Sequence, residues 1–80
     1  MARYGVDSKL SPAQVVDRAL EFFGPGGAGL EVTEQAECCA RFEGGGGHVF
    51  VNASEKGKGS EVELETREWD YQVKQFMGQI

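Results

Sequence analysis

The sequence has few residues that could cross-link it or bind a metal. Its only cysteines, Cys38 and Cys39, are adjacent. Neighbouring Cα atoms stand about 3.8 Å apart, closer than an ordinary disulfide requires, so the pair cannot staple a loop. There is no C-x-x-C pair and one histidine, His48, which removes the ligand clusters of a structural zinc site. No metal or cofactor is expected. Long apolar runs are also missing: nothing approaches the roughly 18 residues that a membrane span needs. The opening residues, Met1 to Leu10, lack the apolar segment of a secretory signal. A cytoplasmic location is expected, and the sequon Asn52-Ala53-Ser54 then reads as chance. Positive charge is scarce, with eight Lys and Arg against thirteen Asp and Glu, a net charge of −5. Such a surface repels a phosphate backbone and an anionic bilayer alike, so neither nucleic acid nor membrane is an expected partner.

What is present is an ordinary globular composition, 40% hydrophobic and 26% charged, in 80 residues. That length suits one small domain, residues 1–80. A chain of this size buries only roughly 60% of its unfolded surface, and such domains commonly rely on disulfides, a metal or self-association. With the first two poorly supplied, a homodimer becomes the default expectation.

Residues 1–10 sustain neither helical nor strand period and read as a leader that orders only by docking. Ser11-Pro12-Ala13-Gln14 starts a helix over 11–23: Ser11 can cap, Pro12 falls where its missing N–H does no harm, and Gln14 can close a capping box. Val16, Ala19, Leu20 and Phe23 form its apolar stripe, widened by Val15 and Phe22. Gly24-Pro25-Gly26-Gly27 ends it.

From Ala28 to Glu43 the period changes to two. Ala28, Leu30, Val32, Ala36, Cys38, Ala40 and Phe42 share one side, interrupted by Glu34. Sixteen residues exceed a usual strand, and two strands broken near Glu34-Gln35-Ala36 are expected. Gly44 to Gly47 then joins this stretch to a strand over 48–54, and a second glycine-containing loop joins that to a strand over 61–66; both read as hairpin turns. Symmetric pairing sets Glu43 opposite His48, Arg41 opposite Phe50, Cys39 opposite Asn52 and Ser54 opposite Glu61. Both hairpins then bury the same side, Val49, Val51, Ala53, Val62 and Leu64. A last helix is expected over 67–80, capped by Thr66, with Trp69, Val73, Phe76 and Ile80 on the sheet. The fold class is α+β: an N-terminal helix, an antiparallel meander of three to four strands over 28–66, and a C-terminal helix on one face.

The same register predicts the other face, where Phe50 lies between Arg41 and Glu65 with His48 near the hairpin end. A Phe ringed by charges is either a cation–π pair on a solvated surface or an anchor for another chain. The glutamates around it form a row, whereas a hard cation needs converging oxygens; they read as a solvated face.

Motifs that spell chemistry have simpler readings. Gly24-Pro25-Gly26-Gly27-Ala28-Gly29 matches G-x-G-x-x-G, but a dinucleotide site needs a strand before it and a helix after it, and here the order is reversed. A Cys39–His48 nucleophile fails on distance, since four residues of strand separate them by roughly 13 Å. Cys38 reads as a small core residue by parity. Glu34 would suit acid chemistry only if enclosed, and its place at the strand break exposes it to water.

The order helix, three strands, helix resembles the double-stranded RNA-binding domain, but the basic cluster such domains carry at the last helix is replaced by Arg67-Glu68-Trp69-Asp70. Glu61-Val62-Glu63-Leu64-Glu65-Thr66 followed by Trp69, Val73, Phe76 and Met77 resembles the ending of helix-grip domains of the START and polyketide-cyclase-like group. That resemblance implies a C-terminal helix closing an apolar cavity over the sheet. It transfers no catalytic residue.

Two functions follow as expectations. The first is a non-enzymatic interaction module that self-associates through a surface including Arg41, His48, Phe50 and Glu65. The second is a binder of a small hydrophobic molecule between sheet and last helix, lined by Phe22, Phe42, Val51, Leu64, Trp69, Val73 and Phe76. An enzyme ranks third.

Overall fold

The computed structural model describes residues 1–80. The elements run β1 (Ala2–Ser8), α1 (Pro12–Phe23), β2 (Glu31–Gln35), β3 (Cys39–Gly44), β4 (Gly47–Lys56), β5 (Gly59–Arg67) and α2 (Asp70–Met77). The five strands form one antiparallel sheet in the order β1-β5-β4-β3-β2. The fold is α+β, with both helices packed on one face of the sheet.

Turn chemistry fixes the centre of the sheet. Gly44 pairs with Gly47, leaving Gly45 and Gly46 as a two-residue loop with φ of 58° and 79°. Positive φ at both central residues is the hairpin turn whose twist matches its strands, and it favours glycine. At the next hairpin Lys56 pairs with Gly59, and Gly57 takes the positive φ. The resulting partners, Glu43 with His48, Arg41 with Phe50, Cys39 with Asn52, Ser54 with Glu61 and Val51 with Leu64, are those the sequence predicts.

The core follows from that parity. Ala40, Phe42, Val49, Val51, Ala53, Val62 and Leu64 are buried under Val15, Val16, Ala19 and Phe23 of α1 and Val73 and Phe76 of α2. Phe23 stacks against Phe42 and Phe76 with ring centroids 5.5 and 5.2 Å apart, so one aromatic cluster ties both helices to the sheet. The capping box is present: the Gln14 N–H donates to Ser11 Oγ, and the Ser11 N–H donates to Gln14 Oε1.

Three expectations are corrected. Residues 1–10 are no leader: Ala2 to Ser8 form an edge strand on β5, with Ala2, Tyr4, Val6 and Ser8 turned to the helical side. The Tyr4 hydroxyl donates to Asp70 Oδ2 at 2.6 Å and ties this strand to α2. The meander expected over 28–66 has four strands, β2 to β5, and β1 adds a fifth to the sheet. Residues 28–43 do divide into two strands, but Ala28 stays in the turn, a register shift falls between Val32 and Glu34, and Ala36 and Cys38 are exposed in the connection. Cys38 is thus not a core residue. Finally, Thr66 does not cap a helix; it is buried in β5 with its hydroxyl donating to the His48 carbonyl. The chain turns at Glu68, whose φ is +75°, and α2 starts only at Asp70.

Candidate functional site

One face of the sheet carries no helix. Across its middle, one residue from each strand forms a row: Arg3 on β1, Glu65 on β5, Phe50 on β4, Arg41 on β3 and Glu34 on β2. The strand period places them together, because residues of like parity share a face and cross-strand partners are neighbours.

Phe50 is half-buried and lies outside the hydrophobic core and the side chains packed against it. Trp69 and Met77 pack on that core. Trp69 donates from Nε1 to the Gly44 carbonyl at 3.0 Å, locking the glycine hairpin under its indole. Tyr71 is 68% exposed on α2.

The charges beside Phe50 are engaged along the surface rather than over its ring. Arg41 Nε reaches Glu43 at 3.4 Å, and Arg3 reaches Glu65 at 3.8 Å. The cation–π contact in the molecule is Lys74 over Tyr4, 5.7 Å from the ring centre, and not Arg41 over Phe50. Phe50 forms a ridge between two hollows. One, of about 130 Å³, touches Arg3, Asn52, Glu63 and Glu65; the other, of about 330 Å³, touches Glu34, Gln35, Ala36, Cys39 and Ala40. Further along the face Lys56 bridges Asp7 and Glu61 at 3.3 and 3.5 Å. Its bond to Asp7, the Asp7 charge and the Glu61 charge hold the ammonium above the ordinary lysine range.

The remaining candidates are dispersed. His48 is half-buried across from Glu43, but no ion pair joins them, since Glu43 turns to Arg41. Glu34 is exposed. No group of three His, Cys, Asp or Glu side chains converges to hold a metal. Of the proposed apolar lining, Phe42, Val51, Leu64, Val73 and Phe76 are buried, while Phe22 and Trp69 cover them at the margin. Phe22 packs on Phe23 and Phe76 at 4.9 and 5.6 Å between ring centroids. Five depressions of the surface touch only Phe22, Phe76 and Leu64 of these seven. The space between sheet and α2 is filled by the chain's own side chains.

What sequence reasoning missed is the contribution of β1. Arg3 and Asp7 complete the open face, and their alternation with Tyr4 and Val6 was the available signal. No helix is long and apolar enough to cross a membrane. No family model, curated protein or solved structure matches the chain.

Proposed function

We propose that this chain is a small acidic, non-enzymatic interaction module of the cytoplasm that pairs with a second copy of itself through the open face of its sheet. The observation that carries the reading is the order of the central row. From β1 to β2 it runs Arg3, Glu65, Phe50, Arg41, Glu34: positive, negative, aromatic, positive, negative. A second copy turned by half a revolution about an axis along β4 lays its β5 over β3 and its β1 over β2. Every charge then meets its opposite, Glu65 over Arg41 and Arg3 over Glu34, with the two Phe50 rings meeting at the axis. A two-fold interface has to be complementary to itself in this way. Stacked sheets sit about 10 Å apart, a gap that Arg, Glu and Phe side chains span. Their axes cross at about 30°, so the central three positions align best and the edge positions least.

The row also supplies the components of an interface centre, an aromatic anchor enclosed by charged groups that keep water out. Net negative charge argues for a protein partner over nucleic acid or an anionic membrane. The rival reading, an apolar ligand between sheet and α2, needs space that the buried aromatic cluster occupies.

The test is light scattering across a concentration series for the wild type and Phe50→Glu, with circular dichroism as a folding control. The expected result is a wild-type dimer and a folded monomeric variant. A wild type that stays monomeric at millimolar concentration overturns the reading.

A further inference from the structure

Consecutive residues of a strand point to opposite faces, so two adjacent cysteines in regular β structure hold their sulfurs apart. Cys38 and Cys39 do the opposite. Their Sγ atoms are 3.2 Å apart, one thiol hydrogen-bonded to the other, at the solvent-exposed entry to β3. The backbone that carries them is fixed by hydrogen bonds. The Ala53 N–H donates to the Cys38 carbonyl and the Ala36 N–H to the Cys39 carbonyl, both at 2.8 Å. One bond anchors the pair to β4 and the other closes the turn from β2, so the peptide between the cysteines and the one that follows it are each held at the carbonyl. Cys38 opens onto a hollow of about 510 Å³ beside the start of α1, and Cys39 onto the hollow beside Phe50.

We propose that Cys38 and Cys39 form a vicinal dithiol site that chelates one trivalent arsenical. Two sulfurs at this separation can share a single pyramidal centre, whereas a linear bis-thiolate metal would need them on opposite sides of it. Zinc would require four ligands, and no third His, Cys, Asp or Glu joins the pair. With an organic arsonous acid the exchange balances without a redox step. Two S–As bonds form and two As–O bonds break, each thiol proton leaves with a hydroxyl as water, and arsenic stays trivalent. Overall the exchange consumes two neutral thiols and releases only water. The hydrogen bond shared with Cys38, then burial, then the charges of Cys38 and Glu34 raise the Cys39 pKa, so a depressed-pKa nucleophile is not what the turn has made. Oxidation is the poorer outcome. It would draw the sulfurs to about 2.05 Å between Cα atoms closer than disulfides prefer, against both anchored carbonyls.

Cys39 borders the face proposed to pair, so the test is made on the whole chain below the dimerising concentration, with phenylarsine oxide read by intact mass. We expect one phenylarsenic adduct per chain that persists in excess glutathione and is stripped by dimercaptopropanol. Cys38→Ser and Cys39→Ser, each checked for folding by circular dichroism, should each lower retention by roughly 100-fold or more, the usual loss when one of two linked contacts is removed. In urea the unfolded chain should hold the arsenical about tenfold less tightly, because the turn no longer sets the sulfurs in place. Retention unchanged in either serine variant, no adduct, or equal affinity in folded and unfolded chains overturns the proposal. Ready loss of two hydrogens to glutathione disulfide, with no arsenical uptake, would make the pair a redox couple instead and overturn it equally.

Discussion

The two faces of the sheet are written by the same strands and have opposite characters. On the covered face Phe42, Val49, Val51, Val62 and Leu64 are each no more than 1% exposed, beneath α1 and α2. On the open face the intervening residues are Arg41, His48, Phe50, Glu63 and Glu65, and a single aromatic stands among charges. Because side chains alternate strictly, the first set can satisfy the demands of folding while leaving the second free for something else. Phe42 and Phe50 make the contrast sharp, since they are chemically identical and occupy adjacent strands. Phe42→Ala should cost about 3–5 kcal/mol through lost burial and an unfilled cavity. In a domain with a total stability of about 5–15 kcal/mol that is enough to populate the unfolded state heavily. Phe50→Ala, measured on the same urea titration at concentrations below dimerisation, should cost under about 1 kcal/mol, as surface changes do. Comparable losses at the two positions would mean that the open face is a second core and the distinction between them is false.

If the open face pairs with itself, its charges are read by those of a second molecule. Arg41→Glu places two glutamates face to face on each side of the Phe50 pair in a homodimer, and Glu65→Arg places two arginines there. Each variant alone should dimerise at least about tenfold more weakly, equivalent to about 1.4 kcal/mol. Mixing the two should restore pairing, because in the mixed dimer each Glu again faces an Arg across the axis. Contacts within a chain are the same in the mixture as in its components, so recovery isolates the contact between copies. Sedimentation velocity on the separate and mixed variants gives the answer, and raising the salt should shrink the difference by screening. Failure of the mixture to recover would leave Phe50 as an anchor in some other arrangement and remove the two-fold along β4.

How far each face was legible in the sequence depended on how local its determinants are. The pairing of β3, β4 and β5 could be read residue by residue, because two short glycine-containing loops each fix a register and the two registers agree. From them followed the position of Phe50 between Arg41 and Glu65, which is the centre of the candidate site. β1 was not legible. Only Tyr4 and Val6 give it large apolar side chains, Gly5 interrupts it, and its partner β5 lies at the far end of the chain. The convergence of the two cysteines was hidden for a related reason. Parity counts assume an unbroken strand, and the register shift after Val32 together with the exposed connection at 36–38 breaks the count before Cys38. The start of α2 was displaced because the covered face claims Thr66 as a buried strand residue before its hydroxyl can serve as a cap.

The smallest expected effect concerns the edge strand, where the two faces are joined to the last helix by one bond. Donation from the Tyr4 hydroxyl to Asp70, followed by burial and the Asp70 charge, raises the Tyr4 pKa above that of a free tyrosine, about 10. The donor is the neutral phenol, so the folded chain holds this proton to higher pH than the unfolded chain does. Between those two pKa values the unfolded state binds fewer protons, and stability falls as pH rises. The bond's contribution should therefore be constant below about pH 10 and disappear as the pH climbs through the raised value. Tyr4→Phe removes the donor and should abolish that part of the alkaline loss while lowering stability slightly at neutral pH. Urea midpoints for the two chains, compared on either side of pH 10, measure it: converging curves at high pH place the bond where the fold has it. Parallel curves would mean that the Tyr4–Asp70 bond does not tie β1 to α2.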